Sequence, residues 1–226
     1  MIRRSEPAPT PYPLSPPYMT YDEFLDAVDE DSRAEWVDGV MEFMSSPASL
    51  VHQTIAYFLQ DLLTTFVRIH SLGAVIDGPY QMKLPHSGRE PDVIFVAQDH
   101  LDRFEQDFLH GPADLVVEVV SPESVRRDRQ TKFAEYQEGG VPEYWLIDPR
   151  PRRKRATFYQ LDDAGRYQAV SPDSAGVYHS RAVPGFWLRV VWLWQQPLPD
   201  PTRVLLEIDR AAYAAYLREQ LRDVGL

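Results

Sequence analysis

The segment ADLVVEVVSP, residues 113–122, sets one carboxylate, Glu118, inside a run of Leu115, Val116, Val117, Val119 and Val120. A run that is apolar at consecutive positions reads as a strand covered on both faces. An ionised carboxylate in such a layer is costly unless it is paired, protonated or bound to a metal. A second acid, Asp92, opens the apolar run PDVIFVA, and a third, Glu35, lies in AEWVDGVMEFM. With a side-chain period of two, Glu118 shares a face with Val116 and Val120, and Asp92 shares one with Ile94 and Val96. If those strands are neighbours, both acids face one site. Their mutual repulsion is relieved by a divalent cation between them. The chain has no cysteine, so carboxylates, imidazoles and carbonyls remain as ligands, a set that suits Mg²⁺ or Mn²⁺ better than zinc. An ion held this way positions a water, lowers its pKa and offsets charge on a phosphate.

Hydrolysis of a phosphodiester also calls for a cationic or proton-handling group. Lys132 follows Glu118 on the next predicted helix, which must fold back over the sheet, and Tyr136 lies one turn further on, on the same face. His52 sits in the first turn of another predicted helix. Arg126, Arg127 and Arg129 cluster just before Lys132, and a second basic cluster spans Arg150, Arg152, Arg153, Lys154 and Arg155. Each has a plainer reading. Glu118 can be matched by an internal arginine, Asp92 can belong to turn chemistry beside Pro91, and Lys132 can pair with Asp128. Glu35 can lie on a hairpin surface, His52 can be a hydrogen-bonded core residue, and Tyr136 can be packing with its hydroxyl at a polar rim. The arginines can be solvated loop charge, or can grip phosphates beside the acidic site.

Several elements must position these groups. Thr20 with Glu23 predicts a capping box opening a short helix. Asp38-Gly39 predicts a two-residue hairpin that sets Glu35 opposite Glu42, a like-charge pair that demands a positive neighbour. Leu50, Val51, Ile55, Leu59, Leu62, Leu63 and Phe66 recur at helical spacing behind a Ser49 cap, predicting the main helix, ended by Gly73. AVIDGPYQMKL reads as two strands across an Asp77-Gly78-Pro79 turn, PHSGRE as a loop, and 98–111 as a polar excursion with a short helix. From 114 to 148 the pattern is strand, helix, strand, a parallel crossover. Beyond 150 come a hairpin around DDAG, a tryptophan-rich β segment and an amphipathic helix. The predicted fold class is α/β with a mixed sheet flanked by helices and a β-rich C-terminal extension. The predicted organisation is a proline-rich disordered arm over 1–17, one domain over 18–195, and a linker with an amphipathic helix over 196–226.

With 226 residues, 44% of them hydrophobic, the chain can bury one substantial core. Its net charge of −11 argues against a simple nucleic-acid-binding module with a basic face. No apolar run approaches the ~20 residues that span a bilayer, and the first residues lack the apolar segment of a secretory signal. The lack of cysteine fits a reducing cytoplasm. The tryptophan-rich C-terminal strands suggest an apolar face and a homodimer.

The order GREPDV, DLVVEVVSP, then RRDRQTKFAEYQEGGVPEYWLIDP, preceded by MTYDEFL and EWVDGVMEFMSSP, resembles the Uma-two family of the PD-(D/E)XK nuclease superfamily. The resemblance spans about residues 18–195 and implies a restriction-endonuclease-like core with a Mg²⁺-dependent site acting on DNA. It implies Asp92 as the strand-opening acid, Glu118 as the second acid, and both as metal ligands. The superfamily lysine two positions after the second acid is Val120 here, so the resemblance maps its role onto Lys132. Glu35 matches the acid of the early hairpin and His52 the histidine that starts the long helix. Two functions are weighed: a metal-dependent endonuclease, and a non-catalytic nucleic-acid or protein interaction module keeping a degenerate nuclease fold.

Overall fold

The computed structural model describes residues 18–28, 34–43 and 49–223. The arm predicted over 1–17 lies outside them. The elements in chain order begin with α1 (Tyr21–Ala27), β1 (Ala34–Val37), β2 (Val40–Phe43), α2 (Leu50–His70), β3 (Gly73–Asp77), β4 (Gln81–Lys83), β5 (Ser87–Arg89), β6 (Val93–Ala97), β7 (Phe108–His110) and β8 (Leu115–Val119). They continue with α3 (Lys132–Glu138), β9 (Glu143–Asp148), β10 (Arg155–Leu161), β11 (Tyr167–Val170), β12 (Val177–His179), β13 (Trp187–Arg189), α4 (Pro201–Ile208) and α5 (Arg210–Asp223).

A six-stranded mixed sheet, ordered β11-β10-β9-β8-β6-β3, forms the centre. The crossover from β8 to β9 is parallel as predicted, with Glu118 beside Leu146. The neighbouring β6 runs antiparallel to β8, and Val93 pairs with Val117. Alternation then sorts the side chains. Val93, Phe95, Leu115, Val117 and Val119 enter the core under α2, while Ile94, Val96, Val116 and Val120 enter the opposite core with Tyr136 of α3. Glu118 keeps the second of these phases, so it lies on the α3 side.

The α2 helix starts where its cap predicts, with Ser49 Oγ accepting the His52 backbone N–H at 3.2 Å. Its apolar face, from Ile55 to Val67, is buried against the sheet. The helix ends at Ser71, in the left-handed conformation, and not at Gly73, which opens β3, where glycine is required. The φ of Gly73 is +145°, and a Cβ there would run into the carbonyl of Val96.

Four further expectations are corrected. The strands flanking Asp77-Gly78-Pro79 form but do not pair. β3 takes a five-residue register on β6, and β4 joins β5 and β7 in a separate five-stranded sheet, β2-β1-β5-β4-β7. The longer ladder wins over a short link that contains a proline without an N–H. The PHSGRE loop contains β5, held between β1 and β4. Its Gly88 lets the Tyr21 ring close over the strand, where a Cβ would collide. The excursion at 98–111 holds a 3₁₀ turn over Gln98–Arg103 and then strand β7. Finally, the C-terminal amphipathic helix is two helices broken at Asp209. Val204, Leu205 and Tyr213 are buried in the same core as α2.

Candidate active site

The antiparallel register fixes where the acids meet. Val93 and Val117 are the last pair of β6 and β8; Asp92 precedes the first and Glu118 follows the second, near enough for the Asp92 charge to act on Glu118. The β6 backbone leaves the ladder at this point, and the side chain of Asp92 takes its place. The Val119 N–H donates to Asp92 Oδ2 at 2.6 Å. Asp92 Oδ1 lies 3.0 Å from His52 Nε2 at the start of α2. The aspartate thus ties the strand end to the long helix.

Glu118 is buried, and its partners come from α3. Lys132 Nζ donates to Glu118 Oε1 at 2.7 Å, and the Tyr136 hydroxyl donates to the same oxygen at 2.7 Å. Lys132 also reaches Glu35 Oε1 at 3.1 Å. The plainer pairing of Lys132 with Asp128 is therefore not the one formed. Glu35 is not a surface residue either. It is 1% exposed, and its Oε2 accepts from Arg89 Nη1 at 2.7 Å. Arg89 is wholly buried, forks onto Glu135 with bonds of 2.7 and 2.6 Å, and lies 3.5 Å from Glu42. It is the positive neighbour that the Glu35–Glu42 pair demanded. Glu118, Lys132, Glu35, Arg89 and Glu135 form a chain of alternating charges linking the two large sheets through α3.

The helix before Lys132 winds wide over Arg127–Thr131, where the Lys132 N–H bonds to the Arg127 carbonyl. Such widened turns occur often at functional sites. This turn carries Asp128, 1% exposed. One of its carboxyl oxygens accepts a short hydrogen bond from the Ser124 hydroxyl. The other is buried without a hydrogen bond among the described residues, 3.9 Å from Arg127 Nε. Sequence reasoning treated Asp128 only as a partner for Lys132, and it missed Arg89 and Glu135. A signal for Arg89 was present in the two opposed glutamates.

The electrostatics follow from burial and neighbours. Burial pushes the Glu118 carboxyl up, and the nearby charges of Asp128 and Asp92 push it further, against the opposing pull of Lys132. Burial likewise raises Asp128. For Glu35 burial is outweighed by Lys132 and Arg89, which hold it at about 2. Burial would lower the Lys132 ammonium, but Glu118, Glu35 and Asp128 hold its pKa above the usual lysine range. Burial likewise opposes protonation of His52, and Asp92 overcomes it. Lys132 is therefore a fixed cation at neutral pH and no proton acceptor.

The remaining predicted residues fall around this centre. Tyr136, assigned from the sequence to substrate binding, is wholly buried and its hydroxyl holds Glu118. The three arginines are engaged differently. Arg126 is exposed, Arg127 leans on Asp128, and Arg129 bonds Asp148 at 2.8 Å beside Arg150.

Among the described residues no group of three or more His, Asp or Glu side chains stands close enough to hold a metal ion. Asp92 and Glu118 would be the protein share for Mg²⁺, which keeps several waters. The buried, unbonded oxygen of Asp128 and the raised Glu118 both mark excess negative charge that a cation would relieve.

A mixed sheet bearing paired acids at neighbouring strand ends, with a lysine above them, defines a restriction-endonuclease-like α/β protein. The profile of the Uma2 family, described as "Putative restriction endonuclease", matches residues 21–191. The chain belongs to this family. The crystal structure of a "putative nuclease belonging to DUF820" from Anabaena variabilis ATCC 29413 shares the fold at TM-score 0.63 with 17% identity, covering 78% of this chain and 97% of that one. No curated protein matches. Among the described residues no helix is long and apolar enough to cross a membrane.

Proposed function

We propose that the protein is a Mg²⁺- or Mn²⁺-dependent endonuclease that hydrolyses phosphodiester bonds of DNA. The observation that carries this reading is the meeting of Asp92 and Glu118 across adjacent strand ends, with the Lys132 ammonium 2.7 Å from Glu118. Asp92 and Glu118 would hold the ion. When bound, it supplies a water of lowered pKa and offsets phosphate charge. The chain's own groups do the rest. Glu35 and Tyr136 hold Lys132 and Glu118 in place. Lys132, as a permanent cation, offsets the charge that gathers on the phosphate as the bond breaks. His52, anchored on Asp92, orients that acid and can hand a proton toward the leaving oxygen.

A plasmid-cutting assay with purified protein in Mg²⁺ or Mn²⁺ tests the proposal. Cutting should appear, and Asp92→Ala, Glu118→Gln and Lys132→Met should each abolish it. Cutting that survives the two acid substitutions removes the assignment.

A second reading, a non-catalytic interaction module, draws support from the two Asp92 oxygens, both of which already have protein partners. Isothermal calorimetry separates the two. Binding of Mn²⁺ that disappears in Glu118→Gln favours the enzyme, and no binding favours the module.

A further inference from the structure

A groove of about 1150 Å³ opens beside the candidate site. One end is lined by Val120 and Pro122, just past Glu118 on β8, and by Pro149, just past β9. Its side includes Leu50, Val51 and Thr54, the residues flanking His52. The lining is mainly apolar, and much of it is open to water. Leu50 is 79% exposed and Tyr57 59%, and Trp194 stands half-buried across from them. Asp61 and Asp200 line it, and so do Arg150 and Lys154. The last two belong to the turn between β9 and β10, where Arg150, Arg152, Arg153, Lys154 and Arg155 fall within six residues of a chain whose net charge is −11. Arg152 to Arg155 are all exposed.

The exposed cations of the 152–155 turn, in an acidic protein, favour a polyanion beside the groove. An apolar floor with exposed aromatic faces selects something flat and apolar as well. Duplex DNA shows its flanks as phosphate and sugar and keeps its base faces stacked inside. A single strand offers both, and aromatic side chains in a basic groove are the usual way of holding one.

We infer that this groove binds single-stranded or locally unpaired nucleic acid and leads it to the Asp92–Glu118 site. Unpaired bases stack on Tyr57 and Trp194, and phosphates meet the 150–155 turn. The inference rests on the nuclease reading for its direction, and it narrows the substrate from DNA in general to unpaired strands.

Fluorescence anisotropy in metal-free buffer tests it, using labelled oligo(dT) of about 20 nucleotides and a duplex of the same length. Oligo(dT) should bind at least about tenfold tighter than the duplex. Tyr57→Ala should weaken oligo(dT) about tenfold, while Tyr57→Phe retains it. Replacing Arg152, Arg153 and Lys154 together by alanine should flatten the salt dependence by about two logarithmic units per decade, as three lost single-strand phosphate contacts require. Equal affinity for the two forms, or an unaltered Tyr57→Ala, overturns the inference. So does a protein that ignores oligo(dT) and is a dimer in solution scattering but a monomer as Tyr57→Arg, since a second copy then fills the groove. Because binding is read without metal, the two readings fail separately. Tight oligo(dT) binding without cleavage in Mn²⁺ sinks the nuclease and leaves the groove. Cleavage of duplex with no preference for single strands does the reverse.

Discussion

Lys132 brings its charge into a place that is 2% exposed, and it stays charged because Glu118 and Glu35 flank it at 2.7 and 3.1 Å. The ionised Glu35 offsets much of the desolvation cost at neutral pH. Glu35 is held at about 2 in the folded chain, below its unfolded value of ~4.3. Its contribution is therefore present above the unfolded pKa and is lost as pH falls toward about 2. At about 1.4 kcal/mol per unit it amounts to about 3 kcal/mol. Urea denaturation across the acid range should show wild type losing its advantage over Glu35→Gln as pH drops. A constant difference at all pH values would contradict this. Glu118 has the opposite sign. Burial and its acidic neighbours raise its pKa, so its proton must leave before an ion can bind, and ion binding releases protons. Mn²⁺ affinity by calorimetry should therefore rise from about pH 6 to about pH 9. Much of this centre was legible in the sequence. A glutamate within five apolar residues, an aspartate opening another strand and a lysine on the following helix were enough to place the acids and the amine. The opposed glutamates called for a cation but did not name Arg89, because nothing in the sequence around GRE says that a three-residue strand pairs beside β1.

At the scale of elements, strong local signals survived and weak ones yielded to tertiary pairing. The capping box of α1 forms on both sides, with Thr20 N–H donating to Glu23 at 2.7 Å. The Asp38-Gly39 hairpin sets Glu35 opposite Glu42, as its turn type requires. The register of β3 and β4 depended on which partner offered the longer ladder, and local sequence does not record that. A carboxylate outside the candidate site holds the C-terminal extension in place. Glu143 of β9 accepts from Trp145, Tyr178 and Ser180 and from the backbone N–H groups of Arg181 and Ala182, at 2.5–3.1 Å. Five donors satisfy one buried charge, so Glu143→Ala strands all of them and should cost about 3 kcal/mol or more in urea denaturation. Gly73→Ala should be similarly severe because of the collision with Val96, and a melting temperature within a few degrees of wild type would refute it.

For the molecule as a whole, two apolar cores lie on opposite faces of one sheet, and the C-terminal helices complete the larger of them. Ending the chain after residue 195 should therefore lower its thermal midpoint, exposing the face of α2 on which α4 and α5 pack. Circular dichroism of the shortened chain checks this, and an unchanged midpoint would mark the last thirty or so residues as an appendage. The alternating charges from Glu118 to Glu135 have a wider consequence. Glu35 and Arg89 belong to one sheet, Glu118 to the other, and Lys132 to the helix between them. A nascent or partly unfolded polypeptide in which those layers have not yet closed leaves the lysine wet and mobile and the acid without its brace. On the proposed reading, competence for strand scission would then be the last property acquired as the chain folds.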